Sequence, residues 1–196
     1  DFPMGQVAIT AIILAGGRAS RMRGRDKALV KIDGIPIIKR QIKILADIFK
    51  TVIVVTDNTR RYRLKGVKII RDIIPEKGPL GGIYSGLLAS DSFYNFVIAC
   101  DMPFINERLV KYMIKNIKNF DIFLPKIGNK FHPLCGIYSK NCIPLIRQGL
   151  TQDRLKVSDI FSKSKVKFIS KKKLQSFDKN LFCLENINTP EDIKKY

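Results

Sequence analysis

The sequence predicts a three-layer α/β/α domain around a mostly parallel, twisted sheet. Apolar runs rich in β-branched residues recur without polar alternation, as is typical of buried parallel strands, at residues 7–14, 51–56, 67–70 and 95–99. Between these runs, apolar residues recur at helical spacing. A chain of 196 residues with 45% hydrophobic residues can bury one sizeable core, so we expect a single domain over residues 1–196.

The remaining elements follow in chain order. Pro36 opens a helical pattern over residues 36–49, a position where proline is tolerated. Further helices are expected to end near Ser90 and to cover residues 106–118, 141–149 and 155–161. Strands are expected at residues 121–125, 130–138, 166–169 and 181–184, and flanking lysines make the last two peripheral. Thr189 and Pro190 form the start signal of a C-terminal helix.

Composition narrows the classes of function. The formal net charge of +19 suits anionic substrates, a nucleic acid or a solvated lysine-rich surface. The chain lacks tryptophan and shows neither an RNP-like aromatic pattern nor a helix-turn-helix signature, which disfavours nucleic acid. No apolar run reaches the roughly 18 residues of a membrane span, and no secretory signal is visible, so the cytoplasm is expected. Residues 1–3 precede Met4 and resemble residues added for expression.

Cysteine and histidine usage gives no sign of a metal centre. The four cysteines form no C-x-x-C pair, and His132 is the one histidine, so a zinc site is disfavoured and buried reduced thiols are expected. No serine or cysteine nucleophile pattern surrounds His132, so we do not expect it to act as a catalytic base.

A segment rich in glycine and cations, residues 12–28, follows the first strand and organises the chain. Gly16 and Gly17 end the strand and allow main-chain N–H groups to approach an anion. Positive charge follows at Arg18, Arg21, Arg23, Arg25 and Lys27. The segment matches neither the Walker A loop nor the G-x-G-x-x-G fingerprint. It therefore predicts a triphosphate site of another type.

The segment resembles the opening motif of the molybdenum cofactor guanylyltransferases, which are Rossmann-like nucleotidyltransferases. The matching residues are Leu14, Ala15, Gly16, Gly17, Arg21, Met22, Asp26 and Lys27. The family has glycine directly after Arg-Met, whereas Arg23 comes first here and Gly24 follows. Later motifs also match in order: Asp72, the Gly78-Pro79-Leu80-Gly81-Gly82 run, Cys100-Asp101-Met102-Pro103-Phe104, the His132-Pro133 segment, and the ending with Asn186 and Asn188.

The resemblance implies transfer of GMP from GTP to the terminal phosphate of Mo-molybdopterin, with release of pyrophosphate. It implies GTP contacts at Leu14, Ala15, Gly16, Gly17, Lys27, Asp72, Gly78, Pro79 and Asp101. Asn58 is also expected to contact GTP, because it follows the second predicted strand and polar residues at the carboxyl end of a parallel strand face the ligand crevice. Lys27 and Arg21 would stabilise triphosphate charge and Asp101 would hold Mg²⁺, which makes these three the expected catalytic residues. His132, Asn186 and Asn188 are expected on the pterin side. Molybdenum-insertion proteins and molybdoenzyme chaperones are the implied protein partners.

Two alternatives remain open. One is a cytidylyltransferase acting on molybdopterin or on a sugar or polyol phosphate, although such relatives more often have LAAG in the first motif. The other is a non-catalytic protein of the same fold that binds anions or nucleic acid. Asn58 could equally cap a turn, and Asp101 could cap the next element.

Overall fold

The computed structural model describes residues 8–16, 21–22, 25–62, 64–187 and 192. The strands are β1 (Ile9–Leu14), β2 (Arg21–Met22), β3 (Arg25–Asp26), β4 (Lys31–Ile32), β5 (Ile35–Pro36), β6 (Val52–Thr56), β7 (Lys68–Arg71), β8 (Tyr94–Ala99), β9 (Ile122–Ile127), β10 (Lys130–Phe131), β11 (Cys135–Ser139) and β12 (Val166–Ile169). The α-helices are α1 (Ile37–Ala46), α2 (Gly78–Ala89), α3 (Glu107–Asn116), α4 (Cys142–Thr151) and α5 (Lys171–Gln175). Short 3-10 turns occur at Lys27–Leu29, Thr59–Arg61, Val157–Lys163 and Phe182–Leu184.

The main sheet has the strand order β10-β9-β11-β8-β1-β6-β7, and β12 also pairs with β9. Strand β1 is parallel to both β6 and β8, and β7 is parallel to β6. Strand β11 is antiparallel to β8 and β9, whereas β12 is parallel to β9. The predicted mostly parallel sheet is therefore confirmed.

Helices cover both faces of this sheet. Successive side chains of a strand point to opposite faces. Accordingly, Ala11 and Ile13 of β1 belong to a core cluster with residues of α1 and α3, whereas Ile12 belongs to a second cluster with residues of α2 and α4. The central strands β6 and β8 are buried along their whole length. The three-layer α/β/α architecture is confirmed.

Local chemistry explains where several helices begin. Asn106 caps α3 by accepting a hydrogen bond from Leu109 N at 3.0 Å, and Ser170 caps α5 by accepting one from Lys173 N. All four cysteines are buried free thiols, as expected. Within the described residues, no helix combines the length and apolar character that a membrane crossing requires.

The predicted continuous strand over residues 130–138 is wrong. The chain forms β10 and β11 with a turn between them, in which Cys135 N donates to His132 O at 3.2 Å. His132 N donates to Pro125 O at 3.0 Å, which keeps the turn beside β9. Both strands are antiparallel to β9 and lie on opposite sides of it. A single apolar run can thus hold two short strands, because hydrophobicity does not mark the turn at which the chain crosses from one side of β9 to the other.

The predicted strand over residues 181–184 is also wrong. Leu181 has a φ of 60°, and the residues after it form a 3-10 turn. Cys183 N donates to Asp178 Oδ2 at 2.8 Å, and the buried Cys183 and Leu184 side chains pack into the core from this turn. Residues 155–161, predicted as a short helix, take a 3-10 form over Val157–Lys163. The start signal at Thr189 and Pro190 lies outside the described residues.

Candidate active site

The carboxyl ends of four parallel strands lie side by side at one edge of the sheet. Leu14 of β1 pairs with Ala99 of β8 on one side and with Val55 of β6 on the other, and β7 follows β6. Ligands of open α/β sheets bind outside such an edge. The loops that leave these strands carry four of the predicted site residues, namely Gly16, Asn58, Asp72 and Asp101.

Lys27 and Asp101 form the charged centre of this edge. Lys27 Nζ lies 3.4 Å from Asp101 Oδ2, although 74 residues separate the two in sequence. Their side chains are only 10% and 15% exposed. Opposite charges interact strongly when they are shielded from water in this way. The structure therefore brings together the two residues on which the predicted phosphate and metal chemistry depends.

The C-terminal segment holds Asp101 from a second direction. Asn186 Nδ2 donates to Asp101 Oδ1 at 2.7 Å, and Ile187 N donates to Asp101 O at 2.8 Å. Ile187 is buried in a small cluster with Ile32 and Ile37. The predicted pterin-side residue Asn186 thus contacts the predicted metal ligand directly.

A tyrosine anchors the loop that presents Lys27. Tyr62 Oη donates to Asp26 Oδ2 at 2.5 Å and lies 3.3 Å from Ala15 O. Asp26 Oδ1 accepts from Ala28 N at 3.0 Å, so Asp26 caps the 3-10 turn that begins at Lys27. Tyr62 is 4% exposed. It ties the end of β1 to the turn that carries the lysine.

Gly16 lies in close contact with the neighbouring strand. A Cβ atom at this position would stand 3.1 Å from Asp57 N and 3.3 Å from Thr56 Cα. Such contacts are too close for a larger side chain unless the backbone moves. Ala15, which is buried, donates its N–H to Val55 O at 2.8 Å. Packing against β6 therefore accounts for a glycine at residue 16 independently of any phosphate.

Asp72 is held by α2 rather than standing free. Its Oδ1 accepts hydrogen bonds from Ser85 Oγ at 2.7 Å and from Ile74 N at 3.1 Å. Ser85 Oγ in turn accepts from Ile73 N at 3.1 Å. Two donors occupy the two lone pairs of this oxygen, so a ligand would approach Oδ2. A contact with both oxygens at once, as expected for paired guanine donors, would need Ser85 to give way.

Asn58, Gly78 and Pro79 lie in the loops where the sequence predicts nucleotide contacts. Asn58 Oδ1 accepts from Arg60 N at 3.1 Å and caps the turn Thr59–Arg61, so the capping alternative is confirmed. Gly78 begins α2 with a φ of 61°, a conformation that favours glycine, and Pro79 occupies the first turn. The start of α2 directs main-chain N–H groups and a positive dipole end towards the sheet edge.

A cleft of about 470 Å³ lies beside β9 and β10 and is connected to Asp101 through Asn186, which lines the cleft and donates to Asp101 Oδ1. Its lining includes Lys130, His132, Leu184 and Asn186. Burial, and to a lesser extent the positive charge of Lys130, lower the pKa of His132 below its ordinary value. The imidazole is therefore neutral at pH 7. Two of the three predicted pterin-side residues, His132 and Asn186, thus line one cleft.

Some predicted site residues fall beyond what the structure describes. Gly17 and Asn188 lie outside the described residues, and for Arg21 only the backbone, in β2, is described. Their roles stay predictions.

The donor set is compatible with a divalent ion that arrives with its nucleotide. Within the described part of the chain, no cluster of three or more His, Cys, Asp or Glu residues could hold a metal alone. Mg²⁺ commonly takes one or two carboxylates together with substrate phosphates. Asp101 supplies one carboxylate, and each oxygen, with its one described partner, retains a lone pair.

Comparison with known proteins identifies the family. The family model for the MobA-like NTP transferase domain matches residues 11–166. The chain belongs to the MobA-like NTP transferase family. The predicted enzyme class, nucleotidyltransferase, and the predicted family are thereby confirmed.

Individual relatives match along nearly the whole chain. The chain is 35% identical over 189 residues to a probable molybdenum cofactor guanylyltransferase of Pelotomaculum thermopropionicum, covering 95% of this chain and 90% of the relative. It is 32% identical to the molybdenum cofactor guanylyltransferase of Desulfosudis oleivorans, covering 96% and 94%. The crystal structure of molybdopterin-guanine dinucleotide biosynthesis protein A from Archaeoglobus fulgidus superposes with a TM-score of 0.79 at 24% identity, covering 95% of each chain. That similarity establishes the fold.

The structure also reveals three residues that the sequence did not single out, namely Gln41, Tyr62 and Ser85. The sequence could have indicated Gln41, because this polar residue interrupts the apolar stripe of α1. It lies at helical spacing from the buried Ile37 and Leu45. Tyr62 and Ser85 act across 36 and 13 residues of sequence, and no local pattern announces their partners.

Proposed function

We propose that this protein transfers GMP from GTP to the terminal phosphate of Mo-molybdopterin, giving the guanine dinucleotide and pyrophosphate. The observation that carries the proposal is the pairing of Lys27 with Asp101 at 3.4 Å at the carboxyl edge of the sheet. The family and the names of its relatives support the same reaction. The cation expected to bind the triphosphate and the carboxylate expected to hold the metal ion therefore lie side by side.

The residues would divide the work by charge. The Lys27 ammonium would bind the triphosphate and offset negative charge as pyrophosphate leaves. Main-chain N–H groups of Gly16 and Gly17 would cradle the phosphates, and the Arg21 side chain would add positive charge. Leu14 and Ala15 would instead fix the start of this loop, because Leu14 pairs within the sheet and the N–H of Ala15 is bonded to Val55 O. Asp72 would read the base through Oδ2, since Ser85 and Ile74 occupy Oδ1. Asn58, Gly78 and Pro79 would complete the nucleotide side.

The chemical step needs little from the protein beyond placement. An oxygen of the pterin phosphate forms a bond to the α-phosphorus of GTP, and the bond from that phosphorus to the bridging oxygen of pyrophosphate breaks. The attacking phosphate is ionised at neutral pH, so no general base is required. We propose Mg²⁺ as the ion at Asp101, where it would neutralise charge on the triphosphate and on the leaving pyrophosphate.

The cleft beside Asp101 is the proposed pterin site. His132 is neutral there, so its ring can donate one hydrogen bond and accept another from a pterin. Asn186 joins the cleft to Asp101 and would bring the pterin phosphate to the metal side. The role of Asn188, the cytoplasmic location, and the molybdenum-insertion and chaperone partners stay predictions.

Thermal unfolding with GTP, CTP and ATP, each with and without Mg²⁺, tests the nucleotide half of the proposal. A ligand at 100 times its Kd adds about 2.7 kcal/mol, which corresponds to a rise in Tm of roughly 5–10 °C at this chain length. We expect the largest rise for GTP with Mg²⁺. A larger rise with CTP would favour the cytidylyltransferase, and equal rises would favour a non-catalytic anion-binding protein.

Anaerobic incubation with Mo-molybdopterin and GTP tests the transfer itself. We expect a pterin guanine dinucleotide and one pyrophosphate per product, with much slower formation from CTP. Failure to form product despite binding of GTP with Mg²⁺ would contradict the proposed acceptor while leaving the nucleotide site intact.

A further inference from the structure

We propose that Gln41 of α1 is a positioning residue that fixes the turn carrying Asp101. Gln41 Nε2 donates to Ala99 O at 2.8 Å and to Met102 O at 2.9 Å. These two carbonyls stand on either side of Asp101 in the chain. One amide group thus bridges the turn from which the carboxylate projects, across about 60 residues of sequence.

Gln41 is fully buried, with an exposed fraction of 0%. Its Oε1 is buried without a hydrogen-bond partner among the described residues. An unpartnered buried carbonyl is unfavourable, and an apolar side chain of similar length would fill the same space without it. The reverse orientation of the amide would set its oxygen against two carbonyl oxygens. The clamp on the turn is therefore the interaction that accounts for glutamine at this position.

The Asp101 turn is otherwise held from two further sides. Cys100 N donates to Leu14 O at 3.0 Å, which joins the turn to β1, and Ile187 N donates to Asp101 O. The turn also closes on itself, because Met102 N donates to Ala99 O at 3.2 Å, so Gln41 shares the carbonyl of Ala99 with the turn's own bond. For the carbonyl of Met102, Gln41 is the hydrogen-bond donor found among the described residues. Without Gln41, the turn would keep these bonds and its place on the sheet, but it would lose the contact that fixes the carbonyl of Met102 and, with it, part of the constraint on its orientation. The distance from Asp101 to Lys27, and the direction of its free lone pairs, depend on that orientation.

A matched control lies at the other end of the same strand. Asn95 in β8 is also 0% exposed, its Nδ2 donates to Ser92 O at 3.1 Å and to Phe93 O at 3.5 Å, and its Oδ1 is likewise unpartnered among the described residues. Asn95 thus repeats the chemistry of Gln41 at the amino end of β8, whereas Asp101 follows the carboxyl end. Asn95→Leu should destabilise the fold without touching the site.

The experiment compares Gln41→Met with Asn95→Leu and the wild type. The first readout is Mn²⁺ binding in the presence of an α,β-methylene GTP analogue, followed by the free-ion EPR signal. The second is kcat and the metal concentration for half-maximal rate in the transfer assay, with Tm measured for every variant. Loss of a partner that orients a metal ligand typically costs 10–100-fold in metal affinity or activity. We expect Gln41→Met to weaken Mn²⁺ binding and kcat within this range, and Asn95→Leu to leave both near the wild type.

Equal metal binding by Gln41→Met and the wild type would overturn the inference, as would an equal loss in Asn95→Leu or no Mn²⁺ binding by the wild type. If Gln41→Met does not fold, Gln41→Asn, which keeps the amide but shortens its reach, takes its place with the same expected order. The inference rests on the proposed function only for the kinetic readout. A wild type that binds Mn²⁺ but forms no dinucleotide would contradict the proposed function, while the Mn²⁺ comparison would still decide the role of Gln41.

Discussion

Asp101 is the residue on which most of the site converges. Lys27 and Asn186 each contact one of its oxygens, and it follows β8, which is buried along its whole length. Asp101→Asn keeps the shape but removes the negative charge that would hold a divalent ion and balance Lys27. We expect kcat to fall by at least about 100-fold, the scale seen when one stabilising group is removed from a polar transition state.

The measurement is product formation at saturating Mg²⁺, beside the surface control Asp91→Asn. Asp91 is exposed, so its substitution removes the same charge away from the site. Wild-type turnover by Asp101→Asn would remove this residue from the mechanism.

His132 offers a direct test of the cleft. The chain has a single histidine, so its imidazole signals are readily assigned by NMR. Burial and the charge of Lys130 lower the pKa of His132, so we expect a titration midpoint below 6.5. In Lys130→Ala the midpoint should move upwards, because a nearby positive charge is removed. A midpoint at or above 6.5 in the wild type would show that the ring is solvated, contrary to the structure.

Ser85 provides a prediction about base selection. Its hydroxyl donates to Asp72 Oδ1 and accepts from Ile73 N. Ser85→Ala leaves α2 intact, since alanine is a good helix former, but it removes one of the two hydrogen bonds to Asp72 Oδ1 and leaves the one from Ile74 N. We expect the preference for GTP over CTP in kcat/KM to fall by roughly 10-fold, the equivalent of about 1.4 kcal/mol for one hydrogen bond to a charged group.

The control for Ser85→Ala is Ser164→Ala, which removes a hydroxyl that donates to Ile160 O at 2.8 Å, away from the Asp72 network. An unchanged nucleotide preference in Ser85→Ala would mean that Asp72 does not depend on this contact.

At the scale of elements, one aspartate joins three strands of the sheet. Asp121, just before β9, accepts hydrogen bonds from Lys165 N at 3.0 Å, Asn141 Nδ2 at 2.8 Å and Ser139 Oγ at 3.1 Å. Burial opposes its ionisation, but these bonds and the charge of Lys165 outweigh burial and lower its pKa below 3.8. The carboxylate thus contributes stability above its unfolded pKa, and this contribution is lost as pH falls through the folded value.

We expect Asp121→Ala to lower the free energy of unfolding by about 1–3 kcal/mol at pH 7. Urea unfolding from pH 7 to pH 3 measures the difference from the wild type, which should shrink as the wild-type carboxyl becomes protonated. The exposed Asp153, paired with Lys77 at 2.8 Å, is the control, because surface ion pairs contribute little. A difference that stays constant down to pH 3 would contradict the pKa argument.

The elements that sequence predicts well are those that burial determines. The strands that became β1, β6, β8 and β12 lie where the apolar runs predicted them. The failures occur where hydrogen bonds, rather than hydrophobicity, decide the local form. Asp178 accepts a hydrogen bond from Cys183 N in a 3-10 turn, and Ser170 caps α5 in a lysine-rich stretch for which the sequence predicts no helix. Among the site residues, Lys27 and Asp101 were predictable from their motifs. Gln41 is visible as a polar residue in an apolar stripe, but its hydrogen-bond partners, about 60 residues away, do not follow from the sequence.

At the scale of the whole molecule, strand order explains why distant motifs form one site. Strand β1 lies between β6 and β8, so the loops after residues 14, 56 and 99 meet at one edge. The C-terminal segment then returns to Asp101 through Asn186 and Ile187. Parallel pairing, rather than sequence proximity, thus brings the predicted motifs together.

The large positive charge is partly accounted for by packing on aromatic rings. Lys167 Nζ lies 5.1 Å from the Phe123 ring centroid, and Lys173 Nζ lies 4.8 Å from that of Tyr112. Both lysines belong to the dense basic stretch between residues 163 and 173. Cations placed over rings in this way are occupied by interactions within the protein. Of the three explanations for the net charge, this arrangement favours a solvated lysine-rich surface for that stretch.

Repulsion among the positive charges should nevertheless limit the stability of the protein without its ligands. A net charge of +19 destabilises a compact state, and salt screens this effect, since the Debye length falls from about 30 Å at 0.01 M to about 8 Å at 0.15 M. We expect Tm to rise as NaCl increases over this range. The double variant Lys171→Glu/Lys172→Glu, at two exposed positions of α5, should show a higher Tm at low salt and a shallower dependence. A Tm that is independent of salt, or a double variant with an unchanged slope, would mean that the basic surface is already balanced within the fold.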